Sequence, residues 1–197
     1  MGLYVDPRWD TFNVLAIDPG KHYLGASIHE LETRTGDYRR IDVETIFVDK
    51  YFNPCPLDDE YVSVTDRCLM KIRHHVMWMV EEYNIDFFAY EAPFYNPARP
   101  AAYGSLCEVV SCMRQAVLDV RPNILIDSMS PQNIKKGMGA GGTKGKEIMF
   151  EKVLATKELV DVLHRDTEDL TEHCIDSLAI GYNARNTILA PMEGWIS

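Results

Sequence analysis

Four residues could do chemistry together if the fold gathers them. Asp18 ends an aliphatic run, Phe12 to Asp18, and opens an Asp-Pro-Gly turn. Glu91 ends an aromatic run, Ile85 to Glu91, just before a proline-rich stretch. His173 and Asp176 are spaced i, i+3 and so share one face of a helix. Acids that close neighbouring strands meet at one sheet rim, and a helix laid across that rim adds the imidazole and the third carboxylate. Such groups repel one another without a cation. Hard divalent ions, Mg²⁺ or Mn²⁺, take oxygen ligands of this kind. Two ions held about 3.5–4 Å apart can clamp the attacking and leaving oxygens of a phosphodiester. Each residue alone has an ordinary reading, since Asp before Pro-Gly is usually a turn residue. Their joint context carries the signal.

A second set of residues suits a polyanion. Between Pro131 and Lys157 stand six lysines and two glutamates, a local excess of +4 in a chain of net charge −10. Lys135, Lys136, Lys144 and Lys146 lie among Gly137, Gly139, Gly141, Gly142 and Gly145. Lysines of this kind supply phosphate contacts, and glycines let backbone approach a strand closely. Lys21 and His22 follow Asp18 closely enough to reach phosphate as well. Phe94, in the loop past Glu91, either wedges into unstacked bases or folds onto the core.

The elements that must position these groups follow from periodicity. Phe12–Asp18, Leu24–His29 and Asp42–Val48 read as an antiparallel meander, with turns at Asp18-Pro19-Gly20 and Thr35-Gly36-Asp37. Thr65–Tyr83 repeats apolar residues at helical spacing. Ile85–Glu91 reads as a buried strand, Ala101–Val120 as a helix and Ile124–Met129 as a fifth strand. Ser130–Lys144 reads as a mobile glycine- and lysine-rich loop, and Asn53–Asp59 as a loop. Glu147–Leu163 and Leu170–Asn186 read as helices. The order predicts an α/β chain with a mixed five-stranded sheet flanked by helices. The apolar stripe of Ala101–Val120 is expected to pack mostly on the sheet.

Composition narrows the class. The chain has 197 residues, 46% hydrophobic and 25% charged, which suits one domain spanning 1–197 with a core of about 12–188. The apolar runs are far shorter than the roughly 20 residues of a membrane span. No apolar leader is read in Met1–Asp10. Five cysteines with no CxxC pair read as reduced thiols of a cytoplasmic protein, mostly buried. No organic cofactor motif is read.

The motifs resemble those of the RuvC-type Holliday junction resolvases. Asp18-Pro19-Gly20 with Gly25 is similar to their opening motif. Tyr90-Glu91-Ala92-Pro93-Phe94 resembles their second, an acid at a strand end with an aromatic three residues on. Pro131–Met149 resembles their lysine- and glycine-containing segment, with Lys135 and Lys146 on its best-matched basic positions. His173-Cys174-Ile175-Asp176-Ser177-Leu178-Ala179 resembles their closing HxxDALA motif. Leu24 stands where the family often has Thr, and Ser177 where it usually has Ala. These differences suggest a divergent, phage or viral, branch.

The resemblance implies an RNase H-like fold: the meander β1-β2-β3 followed by parallel strands. It implies Asp18, Glu91, His173 and Asp176 as the catalytic and metal-binding set, with two Mg²⁺ or Mn²⁺ ions per site. It implies a homodimer that makes paired nicks in four-way or branched DNA, leaving 5′-phosphate and 3′-hydroxyl ends. The alternatives are an RNase H-like nuclease for other branched DNA or RNA–DNA hybrids, and a non-catalytic DNA-binding relative.

Overall fold

The structure is a computed structural model that describes residues 10–48, 63–141 and 146–189. Five strands form one sheet in the order β3-β2-β1-β4-β5. β1 (Thr11–Asp18), β2 (Tyr23–Glu32) and β3 (Tyr38–Phe47) are the antiparallel meander. β4 (Phe87–Glu91) and β5 (Leu125–Met129) run parallel to β1. α1 (Val64–Glu82) and α2 (Pro100–Val120) connect β3, β4 and β5. α3 (Pro131–Gly137), α4 (Lys146–Ala155), α5 (Lys157–Val160) and α6 (Glu172–Leu189) follow β5 among the described residues. The predicted mixed five-stranded sheet is the one observed. Among the described residues no helix is long and apolar enough to cross a membrane.

The sheet is covered on both faces, so β1 is apolar almost throughout. Strand alternation sorts its residues. Leu15 and Ile17 join the core beneath α1 and α2, which also holds Ile72, Met79, Phe88, Val109 and Met113. Val14 and Ala16 join the core beneath α6, with Ile175, Leu178 and Ala179. Asp18 and Glu91 continue the second set: Asp18 follows Val14 and Ala16, and Glu91 follows Phe87 and Ala89. Both acids therefore belong to the face that α6 covers. The buried residues of α2, Val109, Val110, Met113, Ala116 and Val117, pack as its stripe predicts. Cys68 and Cys174 are buried, whereas Cys107 and Cys112 are half-buried.

Two expectations need correction. The segment after Ser130 is not simply a loop, because its first part is the helix α3. The Ser130 side chain accepts from the Asn133 N–H, and Pro131 occupies the first turn. At the other end the Gly139 N–H reaches the Lys136 carbonyl at 3.0 Å and the Ala140 N–H reaches that of Lys135 at 2.8 Å. With Gly139 at φ +68°, this is a Schellman stop. Ile134 is buried and anchors the helix to the core under α6. Glycine density hides this helix in the sequence, yet part of that glycine serves close packing: a Cβ on Gly137 would overlap the Asn183 side chain.

The helix expected over 147–163 also breaks, at Thr156. The Thr156 hydroxyl donates to the Lys152 carbonyl at 2.9 Å. The chain beyond α5 then pairs with the edge of β3 instead of coiling. The Ile41 N–H donates to Val162 and the His164 N–H to Ile41, at 3.1 and 2.8 Å. Backbone groups of an edge strand are satisfied this way. The loop read over 53–59 lies outside the described residues.

Candidate active site

The register brings the two strand-end acids level. Ile17 pairs with Tyr90 across parallel β1 and β4, so Asp18 and Glu91 are the next residues along neighbouring strands. On the other side Asp18 pairs with Gly25 of β2. α6 starts above this point. A Cβ on Gly25 would overlap the His173 carbonyl oxygen, so only glycine lets the helix come this close. Further along the helix, a Cβ on Gly181 would overlap the His29 ring, so α6 lies close over that side chain as well.

The start of α6 is held by polar groups. Thr171 accepts from the Cys174 N–H at 3.2 Å, an N-cap. The Thr45 hydroxyl of β3 meets the Thr171 hydroxyl at 2.5 Å and the Cys174 Sγ at 3.2 Å. Helix α6 is thus pinned to β3 and packed on β2, with His173 and Asp176 in its first turns.

His173 donates from Nδ1 to Asp18 Oδ2 at 2.9 Å. Its Nε2 lies 3.9 Å from Glu172. The hydrogen bond to Asp18 holds the His173 pKa above the usual imidazole value, against the opposing effect of burial. Glu91 is pushed up to about 7, first by burial and then by the negative charges of Asp18 and Asp176. Lys135 acts in the opposite direction on Glu91, so its cation reaches the same site. The structure therefore brings together Asp18, Glu91, His173, Asp176 and Lys135 from four elements, β1, β4, α6 and α3.

The other predicted residues fall in different places. Lys136 is exposed in the last turn of α3. The Lys21 amine donates to the Thr65 hydroxyl at 2.7 Å, at the start of α1. Phe94 is 64% exposed, which settles its two readings against core packing. Lys144 and the side chain of Lys146 lie outside the described residues. Sequence reasoning missed Tyr23, whose ring stacks on His173 with centroids 5.8 Å apart and planes 15° from parallel. It also missed Thr45 and Thr171. No local pattern marks these three, because their partners come from distant segments.

The donors suit a hard divalent cation: three carboxylates and one imidazole. A cation would offset the burial and repulsion that lift Glu91. Among the described residues no group of three such side chains is already arranged as around a metal ion. The chemistry of the set fits a divalent ion, while the present side-chain placement is that of a proton-bridged Asp18–His173 pair.

No family model and no curated protein sequence matches the chain. Solved structures do. The chain is similar to Thermus thermophilus RuvC, with a TM-score of 0.63 and 19% identity over 92% of this chain and 97% of that one. It is equally similar to T. thermophilus RuvC in complex with a Holliday junction substrate, with a TM-score of 0.63 and 16% identity over 92% and 96%. The yeast mitochondrial Holliday junction resolvase Ydc2 follows, with a TM-score of 0.58 and 13% identity over 96% and 86%. The chain has the RNase H-like fold in the arrangement of RuvC.

Proposed function

We propose that this protein is a divalent-metal-dependent endonuclease that resolves four-way or other branched DNA, acting as a single nuclease domain in a homodimer. The observation that carries the reading is the convergence of Asp18, Glu91, His173 and Asp176 at one sheet rim, on a fold shared with junction resolvases.

Asp18, Glu91, Asp176 and His173 would hold Mg²⁺ or Mn²⁺, two ions per site. When bound, the ions polarise the attacking water and stabilise the leaving 3′-oxygen, so the products carry 5′-phosphate and 3′-hydroxyl ends. The protein's own part is positional. Parallel strand ends fix Asp18 and Glu91 relative to one another. Helix α6 sets His173 and Asp176 over them. Asp18 orients the imidazole through Nδ1, which leaves Nε2, 3.9 Å from Glu172, as the nitrogen that can meet a reacting group. Lys135 and Lys136 contact phosphate beside the site, and Lys21, Lys144 and Lys146 would supply further phosphate contacts. Such contacts give affinity that falls with salt. The exposed Phe94 ring, three residues past Glu91, stacks on a base at the opened junction.

Two-fold symmetry matches two sites to opposed strands of a junction. The second copy has a suitable face on α2, where Cys107, Val110 and Leu118 line an open groove of about 380 Å³ with Arg114 and Gln115.

The test is cleavage of a labelled synthetic four-way junction, a flap, a linear duplex and an RNA–DNA hybrid, each with Mg²⁺ and with Mn²⁺. Paired, symmetric nicks in the junction alone are expected. Equal cutting of flap and junction replaces the reading with a general branch nuclease. Selective cutting of the hybrid replaces it with an RNase H activity.

A further inference from the structure

His173 brings the one imidazole to the candidate site, and what it can do there depends on where its ring points. The χ2 torsion of an imidazole is broad, so the ring can swing out of its present plane at little cost. A ring swung out of this plane moves Nε2 away from where a reacting group would meet it. Besides the 3.9 Å approach of Nε2 to Glu172, two contacts restrain that swing. One is the hydrogen bond from Nδ1 to Asp18. The other is the face of Tyr23.

The two restraints are not equivalent. Asp18 belongs to the set that would hold the cation. Any lone pair of Oδ2 engaged by a cation is withdrawn from His173. The Tyr23 stack does not draw on Asp18 at all, so it persists when that hydrogen bond is weakened. Tyr23 is itself held. Its register partner across the meander is Phe47, and the two rings meet edge to face with centroids 5.5 Å apart and planes at 87°. The first residue of β2 thus supports the imidazole from below, while Gly25, two residues on, admits the helix that carries it.

We propose that Tyr23 is a positioning residue for the cleavage reaction: its ring, braced by Phe47, holds the His173 imidazole in the orientation used for catalysis. The inference rests on the nuclease reading above, and it assigns Tyr23 no contact with the reacting atoms. Nearly half of Tyr23 is exposed, at 48%, so its truncation leaves the core intact.

The experiment compares Tyr23→Ala and Tyr23→Phe with the wild type by three readouts. These are the single-turnover rate at saturating four-way junction, the junction Kd in EDTA, and the NMR signals of the His173 ring in the metal-free protein. A His173→Gln variant assigns those signals. A well-made aromatic stack is worth up to roughly tenfold in the population of the held ring. Tyr23→Ala is expected to slow cutting by about that factor, leave Kd unchanged, and shift the His173 ring protons downfield as the tyrosine ring current is lost. Tyr23→Phe restores both rate and shift.

A tenfold weaker Kd with an unchanged saturated rate would make Tyr23 a DNA contact and overturn the proposal. Unchanged His173 signals in Tyr23→Ala would overturn the stack itself. A wild type that cuts no substrate would sink the nuclease reading and with it the role in cleavage, while the ring signals would still report the stack. A wild type that cuts and a Tyr23→Ala variant that cuts equally fast would sink the positioning role alone.

Discussion

The two faces of the sheet are built differently. The face under α1 and α2 is filled by apolar volume: Leu15, Ile17, Ile28, Ile46 and Phe88 meet Ile72, Val76, Met79 and Met113. The face under α6 also buries Ser27, His29, Thr45 and Ser177, and its glycines permit close contact, Gly25 of β2 against the His173 carbonyl and Gly181 of α6 against the His29 ring. Most of these polar groups have a specific partner, although the buried His29 Nδ1 has none among the described residues. Ser27 meets His29 at 2.8 Å, Thr45 meets Thr171, and Ser177 donates to the Cys174 carbonyl at 2.9 Å. Shape-filling contacts tolerate repacking, whereas hydrogen bonds and close backbone approach specify one placement. The candidate site sits on the face where α6 is placed by such contacts.

The largest effect that would sharpen this contrast is on cutting. Glu91→Gln is expected to lower junction cleavage by at least ~10³-fold while Tm holds or rises, because it removes a carboxylate whose charge is opposed by burial and by two like charges. Parallel rate and melting measurements check it. Next comes Gly25→Ala, which sets a methyl against the His173 carbonyl; a loss of about 3 kcal/mol in urea unfolding is expected.

His29 gives a pH-dependent effect. It is fully buried, and desolvation, helped by Arg185, lowers its pKa to about 3. The unfolded chain binds that proton near the ordinary value of about 6.5, and the folded chain does not. Its contribution is therefore present above about pH 6.5 and is lost as pH falls toward about 3. Between pH 6.5 and 5 the wild type should lose about 2 kcal/mol that a His29→Asn variant does not lose, read from urea unfolding at each pH. The smallest effect lies on the other side of the sheet. Gly104 of α2 has nothing within 4 Å of an added Cβ, so Gly104→Ala should stabilise by about 0.5–1 kcal/mol. A loss there comparable to that of Gly25→Ala would break the comparison.

Much of this was legible locally. Aliphatic or aromatic runs ending in Asp18 and Glu91 announce strand ends, and the i, i+3 spacing of His173 and Asp176 announces a shared helix face. What joined them, the register of β1 on β4 and the descent of α6 onto Gly25, is tertiary, and the resemblance to known motifs supplied it in advance. Helix α3 was obscured because its glycines read as freedom when Gly137 and Gly139 in fact serve packing and a helix stop. The break at Thr156 was obscured because the competing partner, the β3 edge, lies over a hundred residues away in sequence. Tyr23, Thr45 and Thr171 carry no signature at all, since their roles exist only once strands and helix have met.

The central claim is that Asp18 belongs to a metal-dependent cutting centre distinct from the surfaces that bind DNA. The most direct test follows one labelled four-way junction with wild type and Asp18→Asn, with Mg²⁺ and with EDTA, alongside gel-shift binding of the same junction in EDTA. The account predicts that both proteins bind equally, that only the wild type cuts, and that EDTA stops it. Cutting by Asp18→Asn at the wild-type rate, or cutting that persists in EDTA, would contradict it.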